Sequence, residues 1–169
     1  MPLYFAYGSN MDETAMRARC PRSRALGVAR LPRHRFALTA DGYATVVRDP
    51  QADAHGVLYD LALADVPALD RYEAVARGLY AKVVQPVLPA TGAARRALIY
   101  VGAGAASGSP KAIAGYLAGV IAAARAAGLP ADYVRGLESL APGAYVEPAR
   151  PRAIKWTPAA GGAQSGDQA

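Results

Sequence analysis

Cysteine is almost missing from this 169-residue chain: Cys20 is the only one, so no disulfide can form within it. Histidine is nearly as scarce. His34 and His55 lie far from each other and from Cys20, with no spacing suited to a structural zinc site. No apolar run approaches the ~20 residues that cross a bilayer. The N-terminus has neither the basic start nor the long apolar stretch of a secretory signal. These features predict a cytoplasmic protein with no membrane partner. The Gly-rich stretch 102–108 follows a strand pattern, yet it has no Lys of a phosphate-binding loop and no G-x-G-x-x-G spacing. It reads as a plain flexible loop able to cover a pocket. No internal repeat is present.

What remains is an ordinary globular composition. Hydrophobic residues make up 53% of the chain and charged residues 19%, enough to bury one sizeable core and far from a disordered composition. The length suits one domain. The net charge is +6, and Arg17, Arg19, Arg22, Arg24, Arg30, Arg33 and Arg35 crowd into one short stretch. A basic patch can hold nucleic acid or an acidic metabolite. With no aromatic, Gly-rich RNA-binding signature and no paired Cys/His finger beside it, a solvated surface is the better reading, and no nucleic-acid partner is expected.

Residues 3–7 form a short apolar and aromatic strand that meets Gly8-Ser9-Asn10 at a turn. Asp12 is placed to cap a helix running to about Arg19, which Pro21 stops. Strands are expected over 25–31, 34–39, 44–47 and 56–61, divided by Pro32, Asp41-Gly42 and Asp49-Pro50. Short strands at this spacing suggest a barrel or a strongly curved sheet. A helix over 64–72 follows, with Leu69 and Tyr72 three apart on one face. Two more strands are expected over 80–88, where Pro86 marks an edge or an end, and 96–101. Ser109-Pro110 is expected to open a helix that carries Ile113, Leu117, Val120 and Ile121 and ends at Gly128. A last helix covers 132–140. The domain is expected to end near 147, with 148–169 a C-terminal extension that is disordered from about 157.

Two constellations could carry chemistry. In Tyr7-Gly8-Ser9-Asn10-Met11, glycine permits a tight turn, and consecutive backbone N–H groups can make an anion-binding nest aided by the Ser9 hydroxyl and the Asn10 amide. Such a segment is more often simply a strand-to-helix turn. In Leu69-Asp70-Arg71-Tyr72-Glu73-Ala74-Val75, followed by Gly78-Leu79-Tyr80, Glu73 ends the helix beside an apolar pair. A carboxylate in an apolar pocket titrates nearer neutrality and suits general acid/base work. Local chemistry alone leaves a solvated helix-end Glu the commoner outcome, and Tyr80 as readily a core aromatic. A Cys20–His34 nucleophilic pair has no supporting signature.

In this order, these segments resemble the γ-glutamylcyclotransferase family. The resemblance rests on residues 3–11 as opening strand and substrate loop, on Val28-Ala29-Arg30-Leu31, Tyr43-Ala44-Thr45-Val46 and Gly56-Val57-Leu58-Tyr59, and on the Glu73 segment through Tyr80. It continues through Ser109-Pro110, Gly128-Leu129-Pro130, Tyr133 and Leu137, which resemble the C-terminal helical pair, and spans about residues 3–145. It implies an α+β fold, a small mixed β-barrel with flanking helices. It also implies conversion of a γ-glutamyl amino acid or amine to 5-oxoproline with no cofactor or metal, an activity of glutathione metabolism. Glu73 would be the catalytic acid/base, and Tyr7, Gly8, Ser9, Asn10 and Tyr80 would bind a small-molecule γ-glutamyl substrate; a homodimer is compatible with this. The alternatives are a relative specialised for one γ-glutamylated metabolite and a non-catalytic relative that binds a ligand or partner. Ala74 departs from the family's usual glycine and narrows the turn beside Glu73.

Overall fold

Four consecutive buried residues, Leu3–Ala6 (β1), form a strand enclosed on both faces. Phe5 is wholly buried and contributes about 2–3 kcal/mol through its ring alone. In this computed structural model, which describes residues 2–104, 113 and 115–141, β1 pairs antiparallel with Ala44–Asp60 (β3) and parallel with Arg95–Gly102 (β5). Arg24–Leu38 (β2) pairs with β3 and touches Tyr80–Pro89 (β4), and β4 pairs with β5, closing a five-strand barrel in the order β1-β3-β2-β4-β5. Helices Glu13–Arg19 (α1), Val66–Tyr72 (α2), Tyr116–Ala126 (α3) and Ala131–Glu138 (α4) flank it. The α+β mixed barrel is thus the observed architecture.

β1 can lie this close to its neighbour because Gly56 has no side chain. A Cβ there would sit 2.1 Å from the Ala6 carbonyl oxygen. α1 begins where the sequence places it: the Asp12 carboxylate accepts from the N–H groups of Thr14 at 2.8 Å and Ala15 at 3.1 Å. Met16 anchors the helix in the core.

The strand boundaries differ from the sequence reading. The pairs 25–31 with 34–39 and 44–47 with 56–61 are two continuous strands forming one long hairpin, turned over 39–43. Pro32 does not end β2, because it lies beside a register shift between Pro32 and His34. A bulge relaxes the ladder where proline has no N–H to give, and it bends the hairpin around the barrel. Asp49-Pro50 lies opposite the same irregularity, between the paired Arg48 and Asp53. Pro86 lies inside β4, whose pairing with β2 is confined to Leu88 and Pro89.

Two further differences concern helices. Leu69 is fully buried, but Tyr72 is exposed, so the two do not share a buried face. Ile113 lies outside α3, which starts at Tyr116 after Gly115 at φ 78°, a conformation a right-handed helix cannot run through. The proposed Pro110 helix start, most of the 102–108 loop and the 148–169 extension lie outside the described residues. Among the described residues no helix is long and apolar enough to cross a membrane.

Candidate active site

Glu73 is the residue at which α2 stops. Its N–H still bonds the Leu69 carbonyl at 2.9 Å, and Ala74 then turns left-handed at φ 51°, ψ 41°. The chain reverses at once, through a short 3-10 turn over Val75–Arg77 to Gly78, also left-handed, and on to Tyr80 at the start of β4. Glycine is the residue that takes such a conformation without strain, so an alanine at 74 carries a cost of about 1–2 kcal/mol. The reversal leaves the Glu73 side chain against the Asn10 amide.

There it meets a narrow cleft of about 30 Å³. Tyr7, Gly8, Ser9, Asn10, Glu73 and Tyr80, far apart in sequence, all line it. Five of the lining side chains are tyrosines: Tyr4, Tyr80 and Tyr100 from three strands, Tyr7 just after β1, and Tyr116 at the start of α3. Burial pushes each of these phenols above its ordinary titration range, so all are neutral at physiological pH.

Glu73 behaves differently. Burial pushes its carboxyl from 4.5 up to about 7, while the Arg19 charge and a hydrogen bond from Asn10 offset part of that rise. The Asn10 amide donates to Glu73 Oε1 at 2.8 Å and to the Tyr4 hydroxyl at 2.9 Å. Asp70, three residues earlier, shows the opposite outcome. Burial pushes it up, but Lys82 at 2.8 Å and the Tyr100 hydroxyl at 2.6 Å outweigh that and hold it below its usual value. One carboxylate on α2 is therefore a fixed anion, and its neighbour is poised near neutrality.

The remaining side chains are mostly engaged with backbone. Tyr7 donates its hydroxyl to the Tyr100 carbonyl. Tyr80 donates to the Ala44 carbonyl at 2.7 Å rather than to Glu73, and Tyr116 accepts from the Ala44 N–H at 3.2 Å. These bonds fix the cleft wall. Gly8 has φ −119° and ψ −139°, so it is not left-handed. The constraint there is space: a Cβ would lie 3.0 Å from Ala44 Cβ and 3.4 Å from the Tyr116 hydroxyl. Ser9, Asn10 and Met11 form a 3-10 turn whose first N–H groups no side chain caps.

Tyr4, Tyr100, Tyr116 and Arg19 are absent from the sequence-derived site. Tyr4 and Tyr100 meet where β1 pairs with β5, packing edge-on with centroids 5.7 Å apart, and Tyr116 comes in on α3. Cys20 is no competing nucleophile, since burial pushes its thiol up to about 11.

Residues 53–137 match the AIG2-like family, half of the chain. The chain belongs to the AIG2-like family. No curated protein matches the sequence. Among solved structures, a gamma-glutamyl cyclotransferase is 25% identical with a TM-score of 0.75, over 86% of this chain and 90% of that one. An uncharacterized human protein is 26% identical with a TM-score of 0.73, over 85% and 89%. A yeast gamma-glutamyl cyclotransferase specific to glutathione shares the fold at 12% identity and a TM-score of 0.54, over 82% and 94%. The AIG2-like match begins within β3 and ends in α4, so it includes Glu73, Ala74 and Tyr80 but not the 7–10 segment.

Proposed function

We propose that the chain is a γ-glutamylcyclotransferase that converts a γ-glutamyl amino acid or γ-glutamyl amine to 5-oxoproline and the free amine, with Glu73 as general acid/base. The observation that carries this reading is the Glu73 carboxyl, half-buried among neutral tyrosines and pushed up to about 7. Near that pH it is part ionised and part protonated, so one group can accept a proton and later return it.

The reaction is intramolecular. The substrate's neutral α-amine attacks its own γ-carbonyl carbon, forming the ring C–N bond, and Glu73 removes a proton from that nitrogen. The tetrahedral intermediate then collapses with cleavage of the original amide bond, and Glu73 delivers the proton to the departing nitrogen. Atoms balance without water. Folding the glutamyl chain so that amine and carbonyl meet supplies much of the acceleration. That task falls to the rigid tyrosine wall, Tyr7 and Tyr80 included, and to the segment Gly8, Ser9 and Asn10. The uncapped N–H groups of this segment suit the substrate's α-carboxylate or the developing oxyanion.

The test is a panel of γ-glutamyl amino acids and amines with 5-oxoproline as the readout. Wild type should release 5-oxoproline from at least one. Glu73→Gln should lower kcat at least ~10²-fold with KM changed little. No 5-oxoproline from any substrate, or wild-type turnover in the variant, rejects the proposal.

A further inference from the structure

Arg19 stands apart from the other arginines of its stretch. Arg24 lies 3.5 Å from Asp60 and Arg35 3.6 Å from Asp49, and Arg30 pairs with Asp53, all along the barrel's outer hairpin. Arg19, the last residue of α1, instead turns toward the cleft. Its guanidinium lies 3.4 Å above the centre of the Tyr72 ring and donates to Asn10 Oδ1. The Tyr72 hydroxyl is 3.0 Å from Ser9 Oγ, so the cation, the aromatic ring and the cleft segment form one connected unit.

The chemistry of these groups leaves one arrangement. A guanidinium only donates, so the oxygen of the Asn10 amide must face Arg19. The amide nitrogen then faces the other way, toward Tyr4 and Glu73, where both its hydrogens are used. An amide nitrogen also only donates, so Glu73 Oε1 is an acceptor whether or not the carboxyl is protonated. The carbonyl oxygen of a protonated carboxyl is the better acceptor, so the Asn10 donor at Oε1 favours the proton of Glu73 on Oε2.

We propose that Arg19 is a positioning residue for Glu73: it locks the Asn10 amide in the orientation that occupies Oε1 and leaves Oε2 as the oxygen that exchanges protons. The inference rests on the cyclotransferase reading for its consequence in turnover, but the linkage itself is independent of substrate. The groups facing Glu73 are Tyr4 from β1, Tyr7 just after it, Asn10, Arg19 from α1, Tyr80 from β4, Tyr100 from β5 and Tyr116 from α3. The tyrosines stay neutral across the relevant range, so the charge acting on Glu73 is that of Arg19.

The direct measurement is carbon-13 NMR titration of the Glu73 carboxyl in the full chain, assigned by its loss in Glu73→Gln. Arg19→Met keeps the volume and removes charge and donors; the midpoint should rise by about one pH unit. Arg19→Lys, which keeps the charge and one donor, should bring it back toward wild type. Asn10→Ala cuts the link from its other end and should also raise the midpoint, which keeps the test open if Arg19→Met does not fold. In turnover, the acidic limb of the kcat/KM profile of Arg19→Met should move alkaline. The Arg19→Met, Asn10→Ala double variant should lose little more than the worse single variant. An unmoved midpoint in folded Arg19→Met or Asn10→Ala, or additive losses in the double variant, overturns the proposal. If wild type makes no 5-oxoproline, the proposed activity fails while the titration still decides the role of Arg19.

Discussion

Replacing Glu73 with Gln should stabilise the protein at neutral and alkaline pH even as it removes the proposed chemistry. The native carboxyl titrates at about 7 because it is buried, against 4.5 for the group in its ordinary state. Between those values the native state holds a proton that the unfolded chain has released. Stability is therefore fully present below 4.5, falls as pH rises through the window, and levels off above 7. At 1.36 kcal/mol per pKa unit, the separation amounts to roughly 3 kcal/mol. Gln cannot ionise, and its carbonyl can accept the Asn10 hydrogen bond that Oε1 accepts now, so the variant escapes the loss. Urea unfolding of both proteins in steps from about pH 4 to about pH 8 measures the difference, and every titrating group they share cancels in the comparison. The two should be nearly equal in stability at the acid end and diverge by about 3 kcal/mol at the alkaline end, several degrees in Tm. A difference independent of pH, or a wild type that is the more stable protein at pH 8, refutes the claim that Glu73 is held protonated by burial.

The barrel was legible in the sequence because short apolar strands follow one another at close spacing, with turn signals such as Asp41-Gly42 and Gly78 between them. The lengths of β2 and β3 were not, because Pro32 and Pro50 usually end a strand and here sit at a bulge that only the pairing reveals. The site was legible in part. The 7–10 segment and Glu73 stood out as motifs, yet local chemistry left Glu73 as a solvated helix end. What buries it arrives from elsewhere: Tyr4, Tyr100 and Tyr116 are 69 residues before it, 27 after it and 43 after it, and no window around Glu73 contains them. Arg19 was hidden for a different reason. Composition marks seven arginines as one basic stretch, and nothing in the spacing distinguishes the one whose helix end points at Asn10 and Tyr72.

Ala74→Gly should raise stability by roughly 0.5–1 kcal/mol, the left-handed strain of alanine less the entropy cost of glycine; a lower urea midpoint would show that the Ala74 methyl group, which is buried, contributes more than its backbone costs. Tyr100→Phe removes the 2.6 Å hydrogen bond to Asp70, so the Asp70 carboxyl should titrate higher, read by NMR; an unchanged midpoint would mean that Lys82 alone holds it down. The Gly8 position tests the cleft wall itself. Gly8 is not left-handed, at φ −119°, and the effect expected of Gly8→Ala is that of the added methyl group. That group meets Ala44 Cβ at 3.0 Å, tighter than ordinary packing allows, and touches the Tyr116 hydroxyl at 3.4 Å. Ala44 is held by both Tyr80 and Tyr116, so it cannot yield without moving the two hydroxyls that shape the cleft. Overpacking of this kind costs about 1–3 kcal/mol. Where that cost falls on the bound state, inhibition by 5-oxoproline should weaken about tenfold or more, and Gly8→Val should be worse. Ser9→Ala, which keeps every backbone donor, should do less. The measurement is product inhibition on each folded variant, with circular dichroism to verify the fold. If folded Gly8→Ala binds 5-oxoproline as tightly as wild type, the wall between Gly8, Ala44 and Tyr116 does not border the ligand, and the γ-glutamyl group lies elsewhere.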